Sequence, residues 1–331
     1  MLGDQAPASM LQTFASSPSP IMQQAVPGQP PTPTAPGLSQ GRTVLIPWAR
    51  GFKIADNQSP IPQDRVFYSF NVFQDLNYAV NRSLNSPITD MNAYRQMLGI
   101  EKTFLQGDAS LGLRLPINTL WTNSTDGAFK DNSTAVGNLS LFGKYVLYRN
   151  PMTGNLLSGG LAITLPSGPT SFAGSSTTVG IRDVQFQPFL GYLFRKGDWF
   201  VQGFSAIDVP TDSRDVTLWY NDVALGYYLY RSANPSAFLS AIVPTVELHL
   251  SDPLNHRGAL RPNDPFGTPD VLDLTFGTSI VLRKRIVASF GGSFPVTGPR
   301  PFSIEAMALL NIYYGRTIQA QPTPLPPMLA Q

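Results

Sequence analysis

From Arg65 to Tyr314, apolar residues recur at every second position in segments too long for ordinary soluble strands. Twelve such segments can be marked: 65–73, 94–104, 109–117, 138–148, 156–166, 184–194, 199–209, 217–229, 238–249, 271–283, 286–296 and 302–314. They run from 9 to 13 residues, whereas soluble strands average about 5–6. A tilted strand crossing a bilayer needs about 9–11. Side chains alternate faces along a strand, so each segment has one greasy and one wet side. Leu157, Leu161, Ile163 and Leu165 oppose Ser158, Gly160 and Thr164; Leu272, Leu274, Phe276, Ile280 and Leu282 oppose Asp273, Thr275, Ser279 and Arg283.

Charge placement follows the same division. The segments hold twelve Asp, Glu, Lys or Arg residues, and eleven fall on the polar face: Arg65, Arg95, Glu101, Arg114, Lys144, Asp208, Asp222, Glu247, Asp273, Arg283 and Glu305. Lys102 alone lies on the apolar face, at a strand end where its stem can reach towards water. A basic side chain facing lipid costs about 2–4 kcal/mol at mid-membrane, which accounts for the bias. A soluble sandwich would alternate too, but its outer face would meet bulk water and carry more charge than these Gly-, Ser-, Thr-, Asn- and Gln-rich faces do.

The joins alternate in length for most of the chain, with 210–216 and 297–301 falling on the long-loop side although they are shorter. Long ones are expected at 74–93, 118–137, 167–183 and 250–270, and short ones at 105–108, 149–155, 195–198, 230–237 and 284–285. Outer-membrane barrels have short periplasmic turns and longer external loops. The count is even, so both ends of the strand array fall on the short-turn side. An open edge in hydrocarbon leaves backbone groups unpaired, so the first segment should pair with the last. The expected fold is a closed antiparallel transmembrane β-barrel of about twelve strands. Pro188 and Pro244 resist, because proline removes a ladder donor, and call for a bulge or a shifted boundary. Tyr94, Phe104, Tyr148, Phe194, Trp199, Tyr227, Tyr313 and Tyr314, near segment ends, suit interfacial girdles or simply reflect strand preference.

Composition excludes the alternatives. Charged residues make up 13% of the 331, against about 25% in a soluble domain. The charge-free stretch 150–181 is full of Gly, Ser, Thr and Pro and is no membrane helix. There is no cysteine, so disulfides, thiolate metal sites and a Cys nucleophile are out. A net charge of +2 without a basic run argues against nucleic-acid binding. No metal or phosphate-binding motif appears, and no cofactor is expected. Of the two histidines, His249 shares the polar face with Glu247 and points inward, while His256 sits in a solvated loop. Membrane acyl hydrolases of the barrel type display Ser, His and Asn on the outer wall, so an enzyme is disfavoured.

Residues 1–64 form a Pro-rich, disordered or extended segment, a plug or a periplasmic arm; 65–314 form the barrel; 315–331 are a disordered Pro-rich tail. No basic n-region of a secretory signal is visible before Arg42.

The runs VGNLSLFGKYVLYR, LAITLPSG, FQPFLGYLFRKGDWFVQG and LSAIVPTVELHL resemble outer-membrane channels associated with phenol-degradation pathways. That resemblance implies a barrel in the bacterial outer membrane passing small, apolar or aromatic molecules, with no catalytic residues to carry over. The surroundings expected are outer-membrane lipids outside and small-molecule solutes inside. The lumen-lining candidates are Arg65, Glu101, Arg114, Lys144, Asp222, Glu247, His249, Asp273, Arg283 and Glu305. A narrow channel is the leading reading. A structural or surface-display barrel filled inside by Phe142, Phe189 and Phe204 is the alternative, and a soluble binding sandwich a third.

Overall fold

In a computed structural model the polar and apolar faces resolve into the inside and outside of one closed cylinder. It describes residue 1 and residues 8–14, 42–48, 53–83, 88–125, 131–168, 183–258, 267–298 and 300–315. Most of the Pro-rich stretches at either end, and parts of the expected long loops, lie outside the described residues.

Twelve antiparallel strands make the wall: β1 (Arg65–Gln74), β2 (Ile88–Phe104), β3 (Ala109–Ser124), β4 (Ser140–Arg149), β5 (Leu156–Thr164), β6 (Gln185–Lys196), β7 (Trp199–Pro210), β8 (Leu218–Tyr227), β9 (Leu239–Pro253), β10 (Val271–Leu282), β11 (Ile286–Pro295) and β12 (Ile304–Tyr313). Each pairs with its neighbours in chain order, and β12 returns to β1 from Ile304↔Gln74 to Tyr313↔Arg65. No edge of this ring is left open, as a hydrocarbon environment requires. Two further short strands, Ala8–Phe14 and Arg42–Trp48, pair only with each other.

Alternation sorts the side chains by solvent. Leu98, Ile100, Leu111, Leu113, Leu141, Leu161, Leu190, Leu225, Leu248, Phe276, Phe290 and Ile312 are exposed on the outside. In water such a belt would be a large aggregation patch; in lipid it is the natural outer surface. Phe104, Tyr145, Tyr148, Phe194, Trp199 and Tyr230 are exposed towards the short-turn end, and Trp121, Phe186, Trp219 and Phe294 towards the other. Of the expected girdle residues, Tyr313 departs: it faces the interior beside Arg65 and lines a cavity there.

Inside the wall, glycines and aromatic rings are matched across strands. Phe67 is paired with Gly99, Phe142 with Gly112, Phe189 with Gly160, Phe204 with Gly191 and Phe200 with Gly226. In each case the ring occupies the space that a Cβ on the glycine would need. The rings therefore lie back against the wall and keep the centre of a narrow barrel from filling with phenyl groups.

Several expectations are corrected. Strands β2 and β3 are 17 and 16 residues long, so much of the expected loops 74–93 and 118–137 is strand; Asp131–Val136 extends the wall further by pairing with β3. Pro188 and Pro244 sit within β6 and β9 with no register shift at either, opposite Leu161 and Thr278. Both prolines point outward, away from the packed interior. Arg283 is not on the lumen wall. It lies exposed in the 283–285 turn, where Arg283 and Lys284 take positive φ of 48° and 56° to reverse the chain in so few residues.

Candidate functional site

The interior is the place where chemistry-bearing side chains converge. Arg65, Glu101, Arg114, Lys144, Asp222, Glu247, His249, Asp273 and Glu305, all expected to line the lumen, are all buried within the cylinder. Arg95 and Asp208 join them. Charges so shielded are tolerated only when paired or hydrogen-bonded.

Glu101 is the hub on one side. It lies 3.0 Å from Arg65 Nε and 2.6 Å from Lys144 Nζ, and it accepts hydrogen bonds from Ser110 Oγ at 2.8 Å and from the Gln63 amide at 3.1 Å. On the other side, His249 Nδ1 is 2.7 Å from Asp222 Oδ1 and its Nε2 is 3.3 Å from Glu247 Oε2. The imidazole is thus held between carboxylates from two adjacent strands and faces inward, not towards the outer wall. Among the described residues, no group of three or more His, Asp or Glu side chains is placed to hold a metal ion.

This space has an occupant, part of the 1–64 stretch for which the sequence left a plug and a periplasmic arm open. Residues 53–63 enter the barrel and run along the wall formed by β1–β4. Arg114 Nη1 donates to the Lys53 carbonyl at 3.3 Å. Lys144 Nζ donates to the Ser59 carbonyl at 3.0 Å, the Ile61 carbonyl at 3.4 Å and Gln58 Oε1 at 3.2 Å. Arg65 Nη2 reaches Gln58 Oε1 at 2.8 Å, and Asn311 Nδ2 donates to Asn57 Oδ1 at 2.9 Å. The segment turns at its tip, with the Asp56 amide bonded to the Lys53 carbonyl at 3.1 Å and Asn57 at a φ of 48°. A signal for it did exist: KIADNQ is the one polar, turn-forming run between the Pro-rich stretch and the first strand.

Ile54 and Ala55, 1% and 0% exposed, pack on Phe67, Met97, Phe142, Phe189 and Phe204 and close the middle of the barrel with an apolar contact. Towards the long-loop end a second cluster, including Phe73, Met91, Leu120 and Phe302, narrows the mouth. Beside the segment, at the short-turn end, a cavity of about 220 Å³ remains between Gln58, Arg65, Phe200, Glu247, Asn311 and Tyr313.

Asp64 fixes the point where the segment leaves the barrel. Its carboxylate accepts from the Thr103 amide at 2.6 Å and the Thr103 hydroxyl at 2.8 Å, and Lys102 Nζ lies 3.2 Å away. Lys102, the lone charge on an outward face, is thus exposed at its strand end and ion-paired, as its position led us to expect. Burial pushes the Asp64 carboxyl up, but the Thr103 and Lys102 hydrogen bonds outweigh it and hold it below the usual carboxylate range. The Tyr314 amide closes the seam by donating to the Asp64 carbonyl at 3.0 Å.

The wall is a closed ring of twelve antiparallel strands, greasy outside and charged within. This is the fold of the bacterial outer-membrane barrels. An outer-membrane channel from Pseudomonas putida F1 superposes over 80% of this chain and 100% of its own, with a TM-score of 0.54 at 10% identity. Less similar are the KdgM porin in complex with disordered oligogalacturonate (76% of this chain, 99% of its own, 10% identity, TM-score 0.41) and the β domain of the Bordetella autotransporter BrkA (76%, 100%, 12%, 0.43). No family model and no curated protein matches the sequence. At such low identity the likeness is one of fold.

Proposed function

We propose that this protein is an outer-membrane channel for small solutes, closed in the present state by residues 53–63. The observation that carries the reading is the nature of the filling. A barrel built only as a scaffold can fill its interior with apolar side chains from its own strands. Here much of the filling is a separate stretch of chain, docked by hydrogen bonds to Arg65, Arg114, Lys144 and Asn311. Each such contact is worth about 0.5–1.5 kcal/mol net, or about 1.5–3 where a charge takes part, so the docking can be undone without unfolding the wall. Of the solute, this reading commits to small size, matching the 220 Å³ space beside the segment. The apolar or aromatic class rests on the resemblance of four sequence runs alone.

Planar-bilayer recordings of the refolded full chain test this. The unmodified protein should conduct weakly or rarely. Asn57→Ala with Gln58→Ala, which removes the side-chain anchors of the segment, should conduct more and for longer. No conductance from either would overturn the channel reading.

The second reading, a structural or surface-display barrel acting through its loops, is favoured by the apolar contact of Ile54 and Ala55 with the inward phenylalanines. It predicts silence from both proteins in that experiment.

A further inference from the structure

The buried charges of the wall are not mixed; they are sorted by strand. Arg65, Arg95, Arg114 and Lys144 lie on β1, β2, β3 and β4. Asp208, Asp222, Glu247, Asp273 and Glu305 lie on β7, β8, β9, β10 and β12. The exceptions are Glu101, lodged between Arg65 and Lys144, and His249, a basic side chain on the acidic arc held between Asp222 and Glu247. In a ring of twelve strands, those six apart stand opposite each other. Arg95 on β2 therefore belongs to the arc opposite Asp222 on β8, and Lys144 on β4 to the arc opposite Asp273 on β10. A lumen with cations on one arc and carboxylates on the other carries a field across its width, and low-dielectric walls focus it.

The segment inside is itself a dipole laid along that field. Lys53 sends its ammonium to the acidic side, 5.4 Å from the ring of Tyr220, which shares the inward face of β8 with Asp222. Asp56, three residues on in the same turn, places its carboxylate where it acts on Arg114 of the basic side. The Lys53–Asp56 turn therefore presents one cation and one anion, close together, each turned to the arc of opposite sign.

Resting on the channel reading above, we propose that the solute is a small dipolar ion, an amine or quaternary ammonium joined to a carboxylate, and that residues 53–56 stand in its place. A solute without formal charges, such as a sugar alcohol, has a small dipole and gains little from a transverse field. A simple cation or anion gains from one arc and is repelled by the other. A dipolar ion of the right span gains from both when it turns across the lumen, as the Lys53–Asp56 turn does.

The test is swelling of liposomes that contain the full chain with Lys53→Glu and Asp56→Lys, which sets each segment charge against a wall of its own sign. Gel mobility that changes on heating verifies folding, and Asn57→Ala with Gln58→Ala provides a second opened protein. The probes are glycine betaine, choline, trimethylacetate and erythritol. Glycine betaine should enter about tenfold faster than erythritol, the low end of what field focusing gives, and faster than either single ion. Adding Asp222→Asn and Asp273→Asn should abolish that preference of glycine betaine over erythritol. Should the neutralised wall fail to fold, betaine should still interrupt single-channel current through the opened protein at concentrations where erythritol does not. Equal entry of all four probes, or no such interruption, would overturn this inference and leave the channel reading standing. No entry of any probe through either opened protein would overturn both.

Discussion

Phe67 lies over Gly99, its cross-strand partner, so closely that its ring fills the place of a Cβ. The wall is thinned at the glycine and thickened by the ring, and the two together restore a smooth inner surface. Four other inward pairs repeat the arrangement.

Gly99→Ala must drive the Phe67 ring towards the centre, where Ile54 and Met97 already pack. Overpacking of this kind costs about 1–3 kcal/mol. Gly292→Ala is the control, since its Cβ would meet nothing nearer than the Glu305 carbonyl at 3.5 Å. Urea titrations of the folded band on cold gels should show a lowered midpoint for the first variant and none for the second.

Glu101→Gln keeps the shape of the hub but removes the charge between Arg65 and Lys144. Leaving two buried cations without their counter-charge should cost about 3–5 kcal/mol. Part of that loss should appear as release of the segment, because Gln63 is bonded to the same carboxylate. Protease cleavage within residues 53–63 should become faster while the barrel remains resistant. Equal protection in both proteins would show that Glu101 does not tie the segment down.

The Asp64 carboxyl is held below its usual range in the folded protein, so its contribution to stability is present above about pH 3.9. It is lost as pH falls through the lowered folded value, when the carboxyl takes up a proton and gives up Thr103 and Lys102. Cleavage near residue 64 by an acid-active protease should therefore rise as pH drops below that point. Asp64→Asn should be cleaved readily at all pH values and show no such rise.

The chain has no cysteine of its own, so a pair introduced at Asn57→Cys and Asn311→Cys, whose native side chains touch, reports on the segment alone. A short bridging thiol reagent should join them and suppress any residual conductance, and a reducible bridge should restore it on reduction. Unchanged current after complete bridging would show that the segment does not gate the pore.

The wall was legible in the sequence because a two-sided strand in a membrane leaves a strict record. Lipid excludes charge from one face, so alternation alone assigns Arg114, Lys144, Asp222 and Glu247 to the inside, where they are buried. Arg283 failed at a strand end, where one residue of turn reverses the parity rule. Pro188 and Pro244 looked disruptive because sequence shows that a donor is lost but not that the chain can stay in register around it. The aromatic–glycine pairs were hidden too: Phe142 and Gly112 lie on different strands, and only the register brings them together. The docked segment was least legible, since its grip involves partners such as Asn311, far away in the chain.

That grip has a consequence for how such a chain can drift over generations. Arg114 and Lys144 hold the carbonyls of Lys53, Ser59 and Ile61, groups that most substitutions leave untouched. The stopper can thus exchange many of its residues and still be caught by the same two hands. Selection is free to rewrite its tip, and with it what the pore admits, without redesigning the cylinder around it.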